Sequence, residues 1–391
     1  MKPIYLDYNA STPIDPEVIE EMLPYLRDRF GNPSSSHLYG RHAKEGIEEA
    51  RRRMAGLINA KASEMVFTSG GTESNNIALC GTAFANCKKG KRIVTCVTEH
   101  PAVLNPCRWL RMQGFVVKYA GVDQFGVVNL EQLERLVDNS TALVSVMHAN
   151  NETGTIQPIR EIAEISHRRG ALFHTDAAQT IGKLKVDVKR MSIDLLSVAG
   201  HKFYAPKGIG ALFVRDGTDI EPFLRGAGHE HGLRPGTENT ASIVGLGKAA
   251  DIAMRTMNEY VPSMQSLRDR LHESLLKSLP NLRLNGHPKK RLPNTLNVSV
   301  PGIDSEALLA STPELAASTG SACHADRRGP SSVLTAMGVP KETALGALRL
   351  SLGKWSTEKE VDRASRMIGD KAARLVRYPI NSCETIQTRK R

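Results

Sequence analysis

Residues 171–214 read ALFHTDAAQTIGKLKVDVKRMSIDLLSVAGHKFYAPKGIGALFV, and the stretch contains three short apolar runs separated by polar or glycine-containing turns. The runs ALFHTDAA, DLLSVAG and IGALFV have the length and flanking residues of buried β-strands. Asp176 lies where the first strand should end, and Lys202 follows the second. The stretch therefore predicts neighbouring strands with ionisable side chains at their ends.

Four upstream runs have the same strand-like character: EMVFTS, RIVTCV, FVVKYA and TALVSVMHAN. Near them, LEQLERLVD and IREIAEISHRR repeat apolar residues at helical spacing. Strands that alternate with helices favour a mostly parallel sheet covered on both faces. We therefore predict an α/β fold built on a seven-stranded, mostly parallel sheet.

The pattern changes near residue 260, where the amphipathic run MQSLRDRLHESLLKSL is followed by the strand-like TLNVSV and further helices. A single hydrophobic core usually stops growing near about 250–300 residues, so a chain of 391 residues has room for two domains. We predict a large α/β domain over 16–259. Residues 1–15 and 260–391 are expected to form a smaller α+β domain that carries Cys323 and Arg349.

The chain carries a formal net charge of +11, but its basic runs are scattered rather than gathered beside aromatic residues. We interpret them as solvated faces and a basic tail, with a docking surface for an acidic partner as the alternative. Direct binding of nucleic acid is not expected. No run is long and apolar enough to span a bilayer, and the first residues lack a signal-peptide pattern, so we expect a cytoplasmic protein.

The six cysteines show no CxxC pair and no dense framework, which argues against a zinc knuckle or a disulfide scaffold. His229 and His231 flank Glu230, but no further ligand cluster or helical HExxH accompanies them. We therefore predict no metal site.

In parallel sheets, ligands bind beyond the carboxyl ends of the strands. Lys202 stands in such a turn, where partial burial would disfavour the ammonium form and suit an amine that bonds covalently to a carbonyl cofactor. Asp176 would need a cationic partner, and the pyridine nitrogen of pyridoxal phosphate is one. A surface lysine and a helix-capping aspartate are the alternatives.

The turn TSGGTESNN places Gly71 and Thr72 before a helix, where backbone amides can hold a phosphate. A glycine turn with a capping threonine is common, so this signal is weak alone. It gains weight because Lys202 and Asp176 call for a phosphorylated cofactor.

The chain contains an ordered set of motifs that together are more specific than any one of them. They are YLDYNASTP, GNPSSSH, TSGGTESNN, TEHPAV, HANNETG, HTDAAQ, GHKFYAPKG, RPGTEN, NTLNVS, GSACH and ALRLSLG. The set resembles the cysteine desulfurase (NifS-like) branch of the class V aminotransferases and covers most of the chain. The resemblance implies pyridoxal phosphate as cofactor and the transferase architecture known as fold type I. It also implies conversion of L-cysteine to L-alanine with the sulfur passed on.

The resemblance implies cofactor contacts for Gly71, Thr72, His100, Asp176, Gln179, His201, Lys202 and Thr237. His100 would stack over the ring and shuttle protons, and Gln179 would bind the ring hydroxyl. Thr72 and His201 would contact the phosphate. Thr237 would reach the phosphate of the neighbouring subunit, which implies an obligate homodimer. The branch commonly has a serine where this chain has Ala199, so one phosphate hydrogen bond is expected to be missing or replaced.

Substrate contacts are implied for Asn151 and Arg349, which would hold the carboxylate of cysteine. Cys323, beside His324 and Arg327 in STGSACHADRRGPSSVL, is expected to be a thiolate that accepts sulfur as a persulfide. An iron–sulfur scaffold, a tRNA or cofactor thiolation partner and a DNA sulfur-modification complex remain open as acceptors. The alternative activities are those of a selenocysteine lyase and a plain class V aminotransferase, and the non-enzymatic alternative is an α/β binding module.

Overall fold

The structure, a computed structural model, describes residues 3–319 and 329–377. Its strands are β1 Ile4–Tyr5, β2 Met65–Thr68, β3 Arg92–Cys96, β4 Val116–Ala120, β5 Thr141–Ser145, β6 Leu172–Asp176, β7 Leu195–Ala199, β8 Gly210–Val214, β9 Arg283–Leu284, β10 Thr295–Ser299, β11 Leu315–Ala316, β12 Ser318–Thr319 and β13 Ala347–Ser351. Its helices are α1 Pro16–Arg27, α2 Leu38–Leu57, α3 Gly71–Asn76, α4 Thr82–Ala85, α5 Pro101–Met112, α6 Leu130–Leu136, α7 Ile159–His167, α8 Thr240–Ser278, α9 Ser305–Ala310, α10 Ser332–Ala336, α11 Lys341–Leu345 and α12 Glu358–Arg377.

Seven strands form the largest sheet, in the order β2-β8-β7-β6-β5-β3-β4. Strand β8 is antiparallel to both of its neighbours, and the other pairs are parallel. The seven runs predicted as strands are the seven members of this sheet. The predicted α/β fold with a mostly parallel sheet is confirmed.

Both faces of this sheet are buried, as the alternation of side chains along its strands shows. Adjacent residues on a strand fall into different apolar clusters, because successive side chains point to opposite faces. Such pairs are Ile93 and Val94, Leu143 and Val144, and Leu195 and Leu196. Residues of α2, α7 and the first part of α8 join the cluster on one face, and residues of α5 join the cluster on the other. The two layers leave the strand ends open for a site.

A separate apolar cluster includes Leu6 near the start of the chain, Leu271 in α8, and residues of β10, β13 and α12. Strands β12, β13, β10 and β9 form a four-stranded antiparallel sheet there, and β1 pairs with β11. Helix α8 contributes Leu246 to the cluster on the large sheet and Leu271 to this one. The predicted boundary between residues 259 and 260 thus falls inside one helix, and the division into domains stays a prediction.

Helix α8 is longer than the amphipathic run that predicted it. It begins at Thr240, where the side chain of Asn239 accepts a hydrogen bond from the backbone of Ser242 at 3.3 Å. Across residues 3–319 and 329–377, no helix combines the length and apolarity needed to cross a membrane.

Candidate active site

A cavity of about 550 Å³ opens at the ends of β2, β6 and β7, where the parallel-sheet rule places a ligand. The predicted site residues that line it are Gly71, Thr72, His100, Asn151, Asp176, Gln179, His201, Lys202 and Arg349. Thr237 does not line this cavity. Cys323 lies outside the described residues. The structure therefore brings together nine of the eleven predicted residues, which are separated by up to 278 positions in the sequence.

Lys202 ends a 3₁₀ turn, Gly200–Lys202, that follows β7 directly. Its Nζ donates to the backbone carbonyl of Asn9 at 2.6 Å and to that of Ala10 at 2.9 Å. Asn9 is itself buried and held by the Thr295 hydroxyl, to which its Nδ2 donates at 2.8 Å. The N-terminal segment thus holds the amine of Lys202 against one wall of the cavity.

Asp176, the last residue of β6, is 7% exposed. Its Oδ2 accepts from Nδ2 of Asn75 at 2.7 Å, and its Oδ1 accepts from the backbone N–H of Ala178 at 2.9 Å. The second bond is the capping interaction considered as the alternative for this residue. Because both donors are neutral, the buried carboxylate keeps its attraction for a cation in the cavity.

The glycine turn stands at the start of α3. Gly70 has φ +150°, and a Cβ built there would meet nothing within 4 Å, so the turn is open on that side. The first-turn amides of a helix have no intrahelical acceptor and favour an anion. A Cβ at Gly71 would lie 3.1 Å from the Cβ of Ala199. The position where the family commonly has serine is therefore beside this turn.

The two histidines of the cavity are held differently. His100 caps α5, and its Nδ1 accepts from the backbone N–H of Ala102 at 3.1 Å, so the neutral ring carries its proton on Nε2. Burial, with the positive charge of Lys202 second, lowers the pKa of His201 to about 4. His201 is therefore neutral near pH 7 and can still donate one hydrogen bond.

Glu99 lies shortly before the first residue of α5 and is hydrogen-bonded to Met147. The Glu99 carboxyl accepts from the backbone N–H of Met147 at 2.6 Å. Burial raises the pKa of Glu99 well above its ordinary value, and the nearby Asp176 adds to the effect. Glu99 thus holds its proton more strongly than an exposed glutamate does.

Arg349, on β13, is almost fully buried and reaches the cavity from the antiparallel sheet. One terminal nitrogen donates to Asp7 at 2.8 Å and to the Ser318 hydroxyl at 3.1 Å. The other donates to the backbone carbonyl of Asn151 at 3.2 Å. The two residues predicted to bind the substrate carboxylate are therefore in direct contact.

A sequence model described as Aminotransferase class-V matches residues 4–364. A cysteine desulfurase IscS of Methanosarcina thermophila is 48% identical over 376 residues, which is 96% of this chain and 93% of that protein. The chain belongs to the cysteine desulfurases of the class V aminotransferase family. The predicted family and its dependence on pyridoxal phosphate are confirmed.

Two solved structures agree with this assignment of the family. One, described as a NifS-like protein, has a TM-score of 0.90 and 40% identity, and the match covers 95% of this chain and all of the other. Another, described as SspA in complex with cysteine, has a TM-score of 0.80 and 37% identity over 90% of this chain and 99% of its own.

The residues that line the cavity fit the family cofactor. The Asp176 carboxylate has neutral donors and suits a protonated pyridine nitrogen, and the open turn at Gly70 suits a phosphate. Lys202 supplies an amine in the same cavity.

Several residues that support the site were not predicted from the sequence: Asp7, Asn9, Asn75, Lys183 and Ser318. Asn9 and Asn75 lie inside two of the motifs that carry the family resemblance, YLDYNASTP and TSGGTESNN, so the motifs contain the signal. Lys183 lies four residues after the end of HTDAAQ, outside any of these motifs, so no sequence signal indicated it.

One interpretation of the charge pattern was wrong. Arg51, in the basic run 51–53, is buried rather than solvated, and its two terminal nitrogens each donate to Glu230 at 2.7 Å. The guanidinium also lies over the ring of Phe67, 4.8 Å from its centroid. Glu230 is thus committed to an ion pair between α2 and the turn that holds His229 and His231.

Proposed function

We propose that this chain converts L-cysteine to L-alanine, with pyridoxal phosphate bound to Lys202 and the sulfur leaving as a persulfide on Cys323. The observation that carries the proposal is the convergence of Lys202, Asp176 and Arg349 on one cavity at the ends of the strands. The names of the relatives, which include cysteine desulfurases and a structure in complex with cysteine, support the same substrate.

Arg349 and Asn151 would bind the substrate carboxylate. Asp7 and Ser318 share one terminal nitrogen of the Arg349 guanidinium, so its plane is fixed before substrate arrives. The other terminal nitrogen donates to a neutral carbonyl, that of Asn151, and a carboxylate is the stronger acceptor. The arginine would therefore hold the amino acid by its carboxylate in the cavity that Lys202 also lines.

Bound pyridoxal phosphate supplies an electron sink for negative charge that develops at the substrate Cα. Nζ of Lys202 would take the α-proton, because the turn after β7 keeps this amine in the cavity. His100, whose Nδ1 is held by the backbone N–H of Ala102, lines the same cavity and would give a proton back from Nε2. The Cβ–S bond then breaks, an S–S bond forms with Cys323, and Cβ gains a proton.

We also propose a cytoplasmic homodimer. Thr237 stands outside its own cavity, which is consistent with a role at the site of a second copy. The segment that carries it is tied to the glycine turn, because Nε of Arg234 donates to Glu73 at 3.3 Å. A partner protein would receive the persulfide sulfur, and the net charge of +11 suits an acidic surface on that partner. An iron–sulfur scaffold, a thiolation partner and a DNA sulfur-modification complex remain the candidate acceptors.

The lysine assignment can be tested with two variants. Lys202→Ala should purify folded, lack the cofactor bond that borohydride reduces, and form no alanine from cysteine. Lys207→Ala is the matched control, because Lys207 is the second lysine that lines the cavity. The control should keep the reducible bond, and mass spectrometry should find the reduced cofactor on the peptide with Lys202. Reduced cofactor on Lys207, or a reducible bond in Lys202→Ala, would overturn the assignment.

A further inference from the structure

Lys183 is a buried lysine with no assigned role. It is 5% exposed and lies in the connection between β6 and β7, one helical turn after Gln179. Its Nζ donates to the backbone carbonyl of Gln179 at 3.1 Å and to the Oε1 of the same residue at 3.3 Å. Burying a lysine is costly, and neither partner is a carboxylate that would offset the cost. The burial of Lys183 therefore calls for a physical account.

The hydrogen bonds fix which way the Gln179 carboxamide points. Its Oε1 accepts from Lys183, and its Nε2 donates to the backbone carbonyl of Asn9 at 3.0 Å. A flipped carboxamide would turn its oxygen toward the Asn9 carbonyl, which cannot donate, and its N–H groups toward Lys183, whose ammonium form has no acceptor. Burial, with Lys202 second, lowers the pKa of Lys183 to about 7, and both the ammonium and the amine carry N–H donors.

The orientation matters because of where Gln179 lies. Its side chain lines the cavity, and its amide nitrogen carries two hydrogens, of which one goes to Asn9. The second hydrogen is available to an acceptor in the cavity. The carbonyl of Asn9 also accepts from Lys202 at 2.6 Å, so Gln179 and Lys202 share one anchor.

We propose that Lys183 is a positioning residue that holds the Gln179 carboxamide by its oxygen, so that the amide nitrogen donates to an anionic oxygen on the ring of the bound cofactor. This inference rests on the proposed function, because it needs pyridoxal phosphate in the cavity. Lys183 acts only through Gln179 and does not touch the cofactor.

The test is a double-mutant cycle on binding of pyridoxal phosphate to the cofactor-free full chain. Lys183→Met keeps an unbranched side chain and removes the donor. The dissociation constant of pyridoxal phosphate from Lys183→Met should be roughly three- to tenfold higher than from the wild type, the equivalent of one hydrogen bond. The visible absorption band of the bound cofactor should also shift. In a Gln179→Leu background, the same change should alter the constant less than about twofold, because the mediating carboxamide is absent.

The matched control is Lys185→Met, two residues along and exposed, which should bind with unchanged affinity and spectrum. If Lys183→Met fails to fold, as judged by thermal unfolding of the cofactor-free protein, Lys183→Gln takes its place in the cycle. That variant keeps an N–H donor on a shorter side chain and should show a smaller loss. Equal losses with and without Gln179, or a wild-type spectrum in the variant, would overturn the inference. No cofactor bond to Lys202 in the wild-type chain would instead overturn the proposed function.

Discussion

Glu152 offers a stability measurement that reports on the buried polar contacts beside Asn151. It is 8% exposed, and it accepts a hydrogen bond from the Ser331 hydroxyl, which caps α10. Burial raises the pKa of Glu152 from 4.5 to about 7, and Ser331 and Arg349 offset part of that effect. The folded chain therefore holds this proton more tightly than the unfolded chain does.

The sign of the pH dependence follows from linkage. A raised carboxyl pKa contributes stability that is complete below about pH 4.5 and is lost as the pH rises through about 7. The difference between the two values corresponds to about 3 kcal/mol. Glu152→Gln has nearly the same shape and cannot ionise, so it should not show this loss. Between pH 5 and pH 9, its unfolding free energy should rise by about 2.5 kcal/mol relative to that of the wild type, because part of the change already occurs below pH 5.

The assay is urea unfolding of both cofactor-free proteins at intervals from pH 5 to pH 9. Groups that the two proteins share, including Glu99 and Lys183, cancel in the difference. Glu161→Gln, an exposed glutamate at the start of α7, is the control, because an exposed carboxylate is hydrated in both states. Parallel pH profiles for wild type and Glu152→Gln would refute the reasoning.

Three further outcomes are expected. Asp176→Asn should weaken binding of pyridoxal phosphate about 10- to 100-fold, the equivalent of one charged hydrogen bond, and should slow exchange of the substrate α-proton with D₂O. Unchanged binding would show that Asp176 does not form the proposed ion pair with the cofactor. Ala199→Ser should strengthen retention of the cofactor on dialysis by up to about 1 kcal/mol, and unchanged or weaker retention would mean that another group already fills this role. Arg51→Met should lower the unfolding free energy by about 3–5 kcal/mol, because it leaves Glu230 buried without its partner, and a loss as small as that of the exposed Arg52→Met would contradict the buried pair.

The sheet could be predicted because each of its strands is a short local run bounded by turn residues. Strands β5 and β7 are buried on both faces, so most of their residues are apolar. A short apolar run of this kind can be recognised without knowing which distant residues it contacts. The start of α8 was missed for a related reason. Residues such as Ile243, Leu246 and Ala250 are buried on several sides of the helix, so no amphipathic period marks them.

The cavity was predicted in its main residues because they follow strands or lie in motifs. The supporting contacts could not be predicted, since each joins positions far apart in the chain. Asn9 meets Lys202 across 193 positions, and Arg349 meets Asp7 across 342. Arg51 was misread because a basic run in a helix gives no sign that one of its members faces a buried carboxylate 179 positions away.

The most direct test of the central claim is the amount of alanine that Cys323→Ser forms from L-cysteine. Cys87→Ser, a change at a partly exposed cysteine, is the control. Cofactor binding should survive in both variants, because Lys202, Asp176 and the glycine turn are intact. Alanine and labelled persulfide should collapse in Cys323→Ser alone, while selenium release from selenocysteine could survive there, because selenolate is the better leaving group. Undiminished alanine from cysteine in Cys323→Ser would contradict the account and remove Cys323 from the mechanism.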